Sequence, residues 1–492
     1  MNNMNTTLKM NRIAVFALTI SVLFFTNAVG QNKVISLSQI IEMAQFQSLE
    51  AEKAKNRKEN SYWAFESVKS NIKPSLNLRG TLPDYSKTIS STPQNDGSYE
   101  FRETHNMRSD VRLTLDQNVL WTGGQFSLYS SLNRIDDFNK EMNATSYSSN
   151  PLGISFIQPL FSFNSWKWEK KIEPLKFEES EKRFKEDNVN ISFRCTGMFF
   201  DLLLAQINLN IAQINMENSE LNHQIAKGRY NLGKIAENEL LELELNLLNA
   251  ERDKANAQLD VETSRLKLNT FVGIVEKEEY QLLIPETVPD FLIDAKTALA
   301  EAKKNRRQYV SFKRRTLEAE REVSRAKSQN TLDITIVGDV GLTDQAAKIG
   351  DVYYDSQNSQ RYRVGVNIPL VDWNRRKSSL KTALANQQLE QNSIKQQEQL
   401  FDEEIYTLVK KIPILRDRVI STKRGDEIAE KRYHISQERY LVANISVTDL
   451  NLALNAKDQA KSAYLRSLRE YWTAYYQLRM LTLYDFVTNT PL

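Results

Sequence analysis

Between Arg361 and Leu370 the chain alternates: Tyr362, Val364, Val366, Ile368 and Leu370 are apolar, while Arg361, Arg363, Gly365 and Asn367 are polar or small. A period of two sends successive side chains to opposite faces of a strand. Leu332, Ile334, Ile336 and Val340 repeat the pattern against Thr331, Asp333, Thr335 and Asp339. Elsewhere the period lengthens. Phe200, Leu204, Ile207, Ile211, Ile214, Asn218, Leu221 and Ile225 step by four and three in turn, the seam of a coiled coil with one polar position. These patterns predict helices over 37–70, 165–228, 238–271, 294–327, 375–437 and 447–482. The helix over 165–228 would run about 96 Å at 1.5 Å per residue, and its two shorter neighbours could stack end to end along it. Pro413 falls inside the second long helix and is expected to kink it.

The chain also repeats itself. Residues 229–240 align without gaps on 439–450, keeping Arg229 with Arg439, Tyr230 with Tyr440, Ile235 with Ile445 and Leu240 with Leu450 at an offset of 210. Pro159-Leu160 falls on Pro369-Leu370 at the same offset, whereas Leu76 to Gly80 falls on Ile334 to Gly338 at an offset of 258. A tandem duplication follows. Its first repeat spans 31–273, a linker spans 274–293, and the second repeat spans 294–492, with 48 extra residues in copy one. Within that insert Val111, Leu113 and Leu115 alternate with Arg112, Thr114 and Asp116, ahead of a Thr122-Gly123-Gly124 turn and then Phe126, Leu128 and Leu132. This predicts a hairpin of two barrel-like strands, flanked by polar loops at about 85–108 and 134–150.

Composition narrows the classes. Across 492 residues, 65 basic and 62 acidic side chains leave a net charge of +3, which nominates no nucleic acid. The single cysteine, Cys195, and three scattered histidines, His105, His223 and His434, offer no metal-ligand spacing. No nucleophile, base and oxyanion donor group together, so no catalytic residue, metal or cofactor is expected. Lys9 and Arg12 precede the apolar run Ile13 to Phe25, and Ala28-Val29-Gly30 suits cleavage before Gln31. This reads as a signal peptide over 1–30. Its thirteen apolar residues are too few to span a bilayer, and no later stretch is expected to do better. A membrane-resident chain must then use strands. Ten alternating residues suit a tilted strand of a transmembrane barrel, and also a strand of a soluble sandwich. Trp121, Trp166, Trp168 and Trp373 lie near strand ends, where an aromatic girdle belongs.

An exported tandem repeat of long helices and strand pairs, with Pro-Leu ending a strand and R-Y-x-x-G-x-I-x-x-x-[DE]-L at a helix turn, resembles the TolC family of outer-membrane efflux and secretion channels. The resemblance runs from about Ile35 to Phe486. It implies an α+β fold: duplicated long helical hairpins forming a coiled-coil α-barrel, and amphipathic strands forming a transmembrane β-barrel shared in a homotrimer. It further implies outer-membrane lipid around the barrel, a periplasmic adaptor, an inner-membrane transporter that supplies the energy, and passive exit of that pump's substrates. An exit duct for type I protein secretion and a non-conducting coiled-coil scaffold or adhesin remain alternatives. Ala443 departs from the family pattern, which has Gly at that turn, and the insert is not part of the basic plan.

Candidate sites follow. Arg79, Asp333, Asp339, Arg361 and Arg363 would face a barrel lumen, with mixed charge and no ion selectivity. By resemblance, the turns holding Arg229, Tyr230, Gly233, Arg439 and Tyr440 form the periplasmic tip that meets the adaptor; the plainer reading is packing across a helix turn. Also by resemblance, Asp449 and Glu239 are gate candidates, although Ser446-Val447-Thr448-Asp449 is equally a helix-capping box. The inserted hairpin either joins the wall, giving eighteen strands per trimer, or projects beyond the family's twelve.

Overall fold

Ser36 starts the first helix. Its hydroxyl accepts from the Gln39 N–H at 3.4 Å while its own N–H donates to the Gln39 side chain at 2.9 Å, a reciprocal cap. Asp294, 258 residues later, caps its counterpart by accepting from the Thr297 N–H at 3.2 Å. The helices so started are α1 (Leu37–Gln47) and α5 (Ala295–Asn305), 11 residues each. Each ends at one extended residue, Ser48 with ψ 147° and Arg306 with ψ 140°, before α2 (Leu49–Asn71) and α6 (Arg307–Ser328). The unbroken helices expected over 37–70 and 294–327 are therefore each two helices.

The remaining helices keep the other offset. Helices α3 (Ser165–Asn231) and α7 (Arg375–Leu441) have 67 residues each, and α4 (Glu237–Val272) and α8 (Val447–Thr482) have 36 each. Helix α7 continues through Pro413, as α3 does through Pro174.

This computed structural model describes residues 33–94, 96–138, 144–274, 280–291, 293–441 and 444–492. The signal peptide expected over 1–30 and Ala443 lie outside the described residues. The chain forms two compact units, each drawing on both repeats.

One unit comprises 51–190, 290–414 and 474–492. It holds a six-stranded antiparallel sheet of β2 (Ser75–Pro93), β3 (Tyr99–Val119), β4 (Gly124–Asp137), β5 (Ala144–Leu160), β7 (Asp333–Ala346) and β8 (Gln357–Asn367), paired in that order. Strand β3 ladders along β2, and β4 along β5, so the inserted hairpin lies in the sheet. The polar loops expected at 85–108 and 134–150 are mostly strand. Their register puts Tyr85 opposite Met107 and Ile89 opposite Glu103, on a mixed face where the Tyr85 hydroxyl lies 2.8 Å from His105 Nε2 and Lys87 2.8 Å from Glu103.

Register fixes two unlike faces. Leu76 lies opposite Leu115, Leu78 opposite Leu113, Phe126 opposite Phe156, and Ile336 opposite Val364. These side chains form an apolar face that is largely bare, with Leu78 71% and Val364 64% exposed.

The break at Arg306 is held by Glu186. Helix α6 has no side-chain cap of its own; the Glu186 carboxylate accepts from the Arg307 N–H at 3.0 Å and pairs with the Arg306 and Arg307 guanidinium groups at 2.8 and 2.7 Å. An anion at a helix N-terminus satisfies orphan amides and complements the dipole. Arg306 also donates to the Met480 carbonyl at 3.2 Å and stacks on Phe401.

The second unit comprises residues up to 50 together with 191–289 and 415–473. Its core contains Ile40, Phe199, Phe200, Leu203, Leu268 and Leu465. A short parallel pair joins β1 (Lys33–Ile35) to β6 (Tyr280–Leu282). Among the described residues one stretch, within α3, is apolar enough to cross a membrane by composition, against expectation; Phe199, Phe200 and Leu202 of that helix are fully buried. Cys195 is buried there too, its thiol pushed up to about 12 by burial. The coiled-coil seam is closed at Phe200 and open further on, where Ile214, Leu221 and Ile225 are exposed.

Glu186→Ala should lower the unfolding free energy by about 3 kcal/mol, since it leaves a mostly buried arginine unpaired. Denaturant unfolding in detergent measures this. Glu66→Ala, which removes a surface pair to Lys69 (2.6 Å), should change it by less than about 1 kcal/mol.

Candidate functional site

The opposite, polar face of the sheet carries all five lumen candidates. Asp339 lies directly opposite Arg361, Asp333 opposite Asn367, and Val337 opposite Arg363. Arg79 stands apart on β2, opposite Arg112. Structure therefore groups four of the five on β7 and β8 and leaves Arg79 at the other edge.

The insert supplies polar-face residues that sequence reasoning did not single out as lumen candidates. The Arg112 guanidinium lies 4.0 Å from the Tyr129 ring. Tyr129 in turn covers Gly153, where a Cβ would come within 2.4 Å of the ring. The glycine is thus required for close approach. Asp116 accepts from the Ser127 hydroxyl at 2.5 Å. Their signal was present as the polar half of the alternation over 111–116.

Three of the girdle candidates, Trp166, Trp168 and Trp373, lie where strands pass into helices, and Trp121 lies in the turn between β3 and β4. Trp121 sits in the turn after β3 and Trp373 just before α7, 85% and 90% exposed. Trp166 and Trp168 occupy the first turn of α3 and are half-buried, with Lys171 5.4 Å over the Trp168 ring. Both strand-to-helix joints enter left-handed backbone, at Phe161 (φ 62°) in copy one and at Trp373 (φ 52°) and Asn374 (φ 67°) in copy two. Such a conformation costs a non-glycine residue roughly 1–2 kcal/mol.

In the other unit, each R-Y turn closes with one shared hydrogen bond. Lys234 N–H donates to the Arg229 carbonyl, and Asn444 N–H to the Arg439 carbonyl, both at 2.9 Å. In copy one, Gly233 takes φ 64° and its N–H donates to the Tyr230 carbonyl at 2.8 Å. Together these make a Schellman cap, which favours glycine at that position. Arg229, Tyr230 and Arg439 are exposed; the Tyr440 side chain lies outside the described residues.

The two gate candidates differ. Asp449 completes the capping box: the Ser446 N–H and hydroxyl donate to its carboxylate at 3.2 and 2.7 Å, and its own N–H donates to the Ser446 hydroxyl at 3.1 Å. These hydrogen bonds hold its carboxyl below the usual range, aided by Arg439. Glu239 occupies the same place in α4, where the cap position is Ala236 and gives no side-chain hydrogen bond. Nearby, Asn208, Asn215 and Asn222 recur every seven residues of α3 along a groove also lined by Asn249, Asn256 and Asn451. Asn215 donates to Asp458 at 3.0 Å. The heptad spacing of these asparagines is readable in sequence, but they fall off the apolar seam and so went unmarked.

Residues 122–274 match the family model described as outer membrane efflux protein. The fold matches that of the CmeC outer membrane channel of Campylobacter jejuni, at 14% identity over 91% of this chain and 85% of that one, with a TM-score of 0.66. It similarly matches the open state of the Neisseria gonorrhoeae MtrE outer membrane channel, at 14% identity over 93% and 90% of the chains and a TM-score of 0.62. The outer membrane protein VceC of Vibrio cholerae matches at 13% identity over 91% and 95%, with a TM-score of 0.62. No curated protein matches the sequence. Residues 122–274 thus match an outer membrane efflux protein domain, and the fold of mixed helix and strand is similar to that of these solved channels, in agreement with the resemblance read from the motifs.

Ser446→Ala should reduce the local stability of the first turn of α8 by about 1 kcal/mol, seen as faster amide hydrogen exchange at Asp449 and Leu450. Because the Asp449 carboxyl is depressed in the folded chain, its stabilisation is present above the ordinary carboxylate range. It should be lost as pH falls through the lowered value.

Proposed function

We propose that three copies of this chain form a passive channel in the outer membrane, serving as the exit duct of a tripartite efflux pump. The observation that carries this reading is the two-faced sheet: a bare apolar face suited to lipid, a charged face suited to water, and two open edges. Six strands are too few to enclose an aqueous pore, so further copies must complete the wall. Exposed Leu241, Leu245, Leu248 and Leu259 on α4 support the same assembly, as a coiled-coil seam completed by neighbouring copies. The signal peptide over 1–30 would bring the chain to the periplasm, where the helices stay. Energy would come from an inner-membrane transporter joined through a periplasmic adaptor. The exposed Arg229, Tyr230 and Arg439, with Tyr440, are the contact residues we assign to that adaptor. Asp449 and Glu239 would contribute rings of three carboxylates at the entrance, a place where cations bind.

Protein reconstituted in planar bilayers should conduct; a sealed scaffold passes no current and would remove the reading. Tyr230→Ser with Tyr440→Ser should leave trimers in the membrane and abolish efflux. Loss of the trimers would instead reassign both tyrosines to packing. Asp449→Asn keeps a cap acceptor and removes the charge, so it should weaken divalent-cation block from the periplasmic side at nearly constant Tm.

A further inference from the structure

We infer that three copies close a single eighteen-stranded barrel by pairing β8 of each copy with β2 of the next, in the register this chain already uses between β5 and β7. The inference rests on the channel reading above and adds to it the strand count, the contact and the width of the pore.

The duplication carries the argument. Strand β5 precedes β8 by 210 residues, with Pro159-Leu160 matching Pro369-Leu370, and β7 follows β2 by 258, with Ile334 to Gly338 matching Leu76 to Gly80. The β5–β7 ladder is therefore an internal copy of the contact that the two open edges lack. Within it Phe156 faces Gly338, Ile157 faces Val337, and Gln158 faces Ile336. Carrying each residue across by its offset sets Val366 opposite Gly80, Asn367 opposite Arg79, and Ile368 opposite Leu78 of the neighbouring copy.

Two features agree with this register. The sheet has six antiparallel strands, so β2 and β8 run in opposite directions and ladder pairing continues antiparallel from copy to copy. Val366, Ile368 and Leu78 fall on the apolar side of the alternation, and Asn367 and Arg79 on the polar side. A slip of one residue would send every side chain of the joined strand to the wrong face.

The inserted hairpin sets the width. Strands β3 and β4 ladder along their neighbours over most of their length, so they cannot leave the wall without cutting β2 from β5. With strands about 4.8 Å apart and tilted about 40°, twelve would close at a backbone diameter of about 24 Å and eighteen at about 36 Å. Such a barrel admits cargo that a twelve-stranded wall would exclude, and the insert lines it with Arg112 and Asp116.

Two measurements on the full-length protein test this. In oxidised outer membranes, Arg79→Cys with Asn367→Cys should give covalent dimers and trimers on non-reducing gels. Either cysteine alone should not, nor should Arg79→Cys with Gly365→Cys, two residues out of register. In planar bilayers, neutral polymers about 18 Å across, added from the extracellular side, should enter the barrel and lower its conductance. Conducting trimers that fail to form the 79–367 link, or that exclude these polymers, overturn the eighteen-stranded barrel and leave the channel standing. Monomers that pass no current overturn the channel reading itself.

Discussion

The sheet's two unlike faces depend on each strand keeping one parity toward each face, so that Leu78, Leu115, Leu128, Ile154, Ile336 and Val364 share one side, and this constraint governs much of the chain. Strand β2 begins with even-numbered residues outward, Leu76 and Leu78, and further along has odd-numbered ones there, Tyr85 and Ile89. Its register shift between Thr81 and Asp84 makes the change. In β5 the outward positions pass from Ile154 and Phe156 to Tyr147 and Ser149 across another shift, between Ser149 and Gly153. A bulge inserts one residue into one strand and so reverses its parity. These two shifts bring Tyr85 and Tyr147 onto the face of Leu78 and Ile154, where they stand beside the ion pairs Lys87–Glu103 and Arg134–Asp136. The polar face depends on the same bookkeeping of parity: Arg112 can stack on Tyr129, and Tyr129 can cover Gly153, only while β3, β4 and β5 stay in step.

The helices obey a different rule, since their seams need partners along the axis and their ends need acceptors and donors. In the sheet-bearing unit the needs of several ends and charges are met within the chain, although Leu384, Leu389 and Leu400 on α7 lie exposed. Glu186 caps α6 from another helix, Arg314 pairs with Glu179 and Glu318 at 2.7 Å, and Arg315 pairs with Glu390. In the other unit the needs are met only in part, because Leu221 on α3 and Leu245 on α4 lie exposed at seam positions. Among the described residues the sheet has two open edges and the helical seams have exposed leucines, the surfaces that the proposed assembly of copies would cover.

Much of this was legible. Helix α8 runs over the span its periodicity predicted, and the 210- and 258-residue offsets recur in the element boundaries of both copies. The breaks at Ser48 and Arg306 were not readable, because no glycine or proline marks them and the group that stabilises the second, Glu186, is 120 residues away in sequence. Over 85–93 and 99–108 serine, threonine and charge dilute the alternation, so the sequence predicts loops where the structure has strands. Pairing along the ladder supplied what composition did not. Of the candidate site, the polar-face residues were visible from the period of two. Left-handed backbone at Phe161 and Trp373 was not, since neither residue type favours it.

Where the copies depart from each other, their chemistry diverges at the helix turns. Both turns keep the arginine carbonyl as acceptor of the closing hydrogen bond, so the backbone scaffold is shared. Copy one has Gly233 at the left-handed position and Ala236 at the cap, which leaves Glu239 without the serine its counterpart has. Copy two has Ser446 at the cap, and Asp449 is held by it with a depressed carboxyl. A carboxylate fixed to its own helix terminus responds weakly to an approaching cation or basic side chain, because its hydrogen bonds must be exchanged first. One whose cap residue is alanine carries no such cost. Duplication therefore yields two turns alike in backbone and unlike in charge behaviour, and a partner that reads one of them reads a different surface at the other.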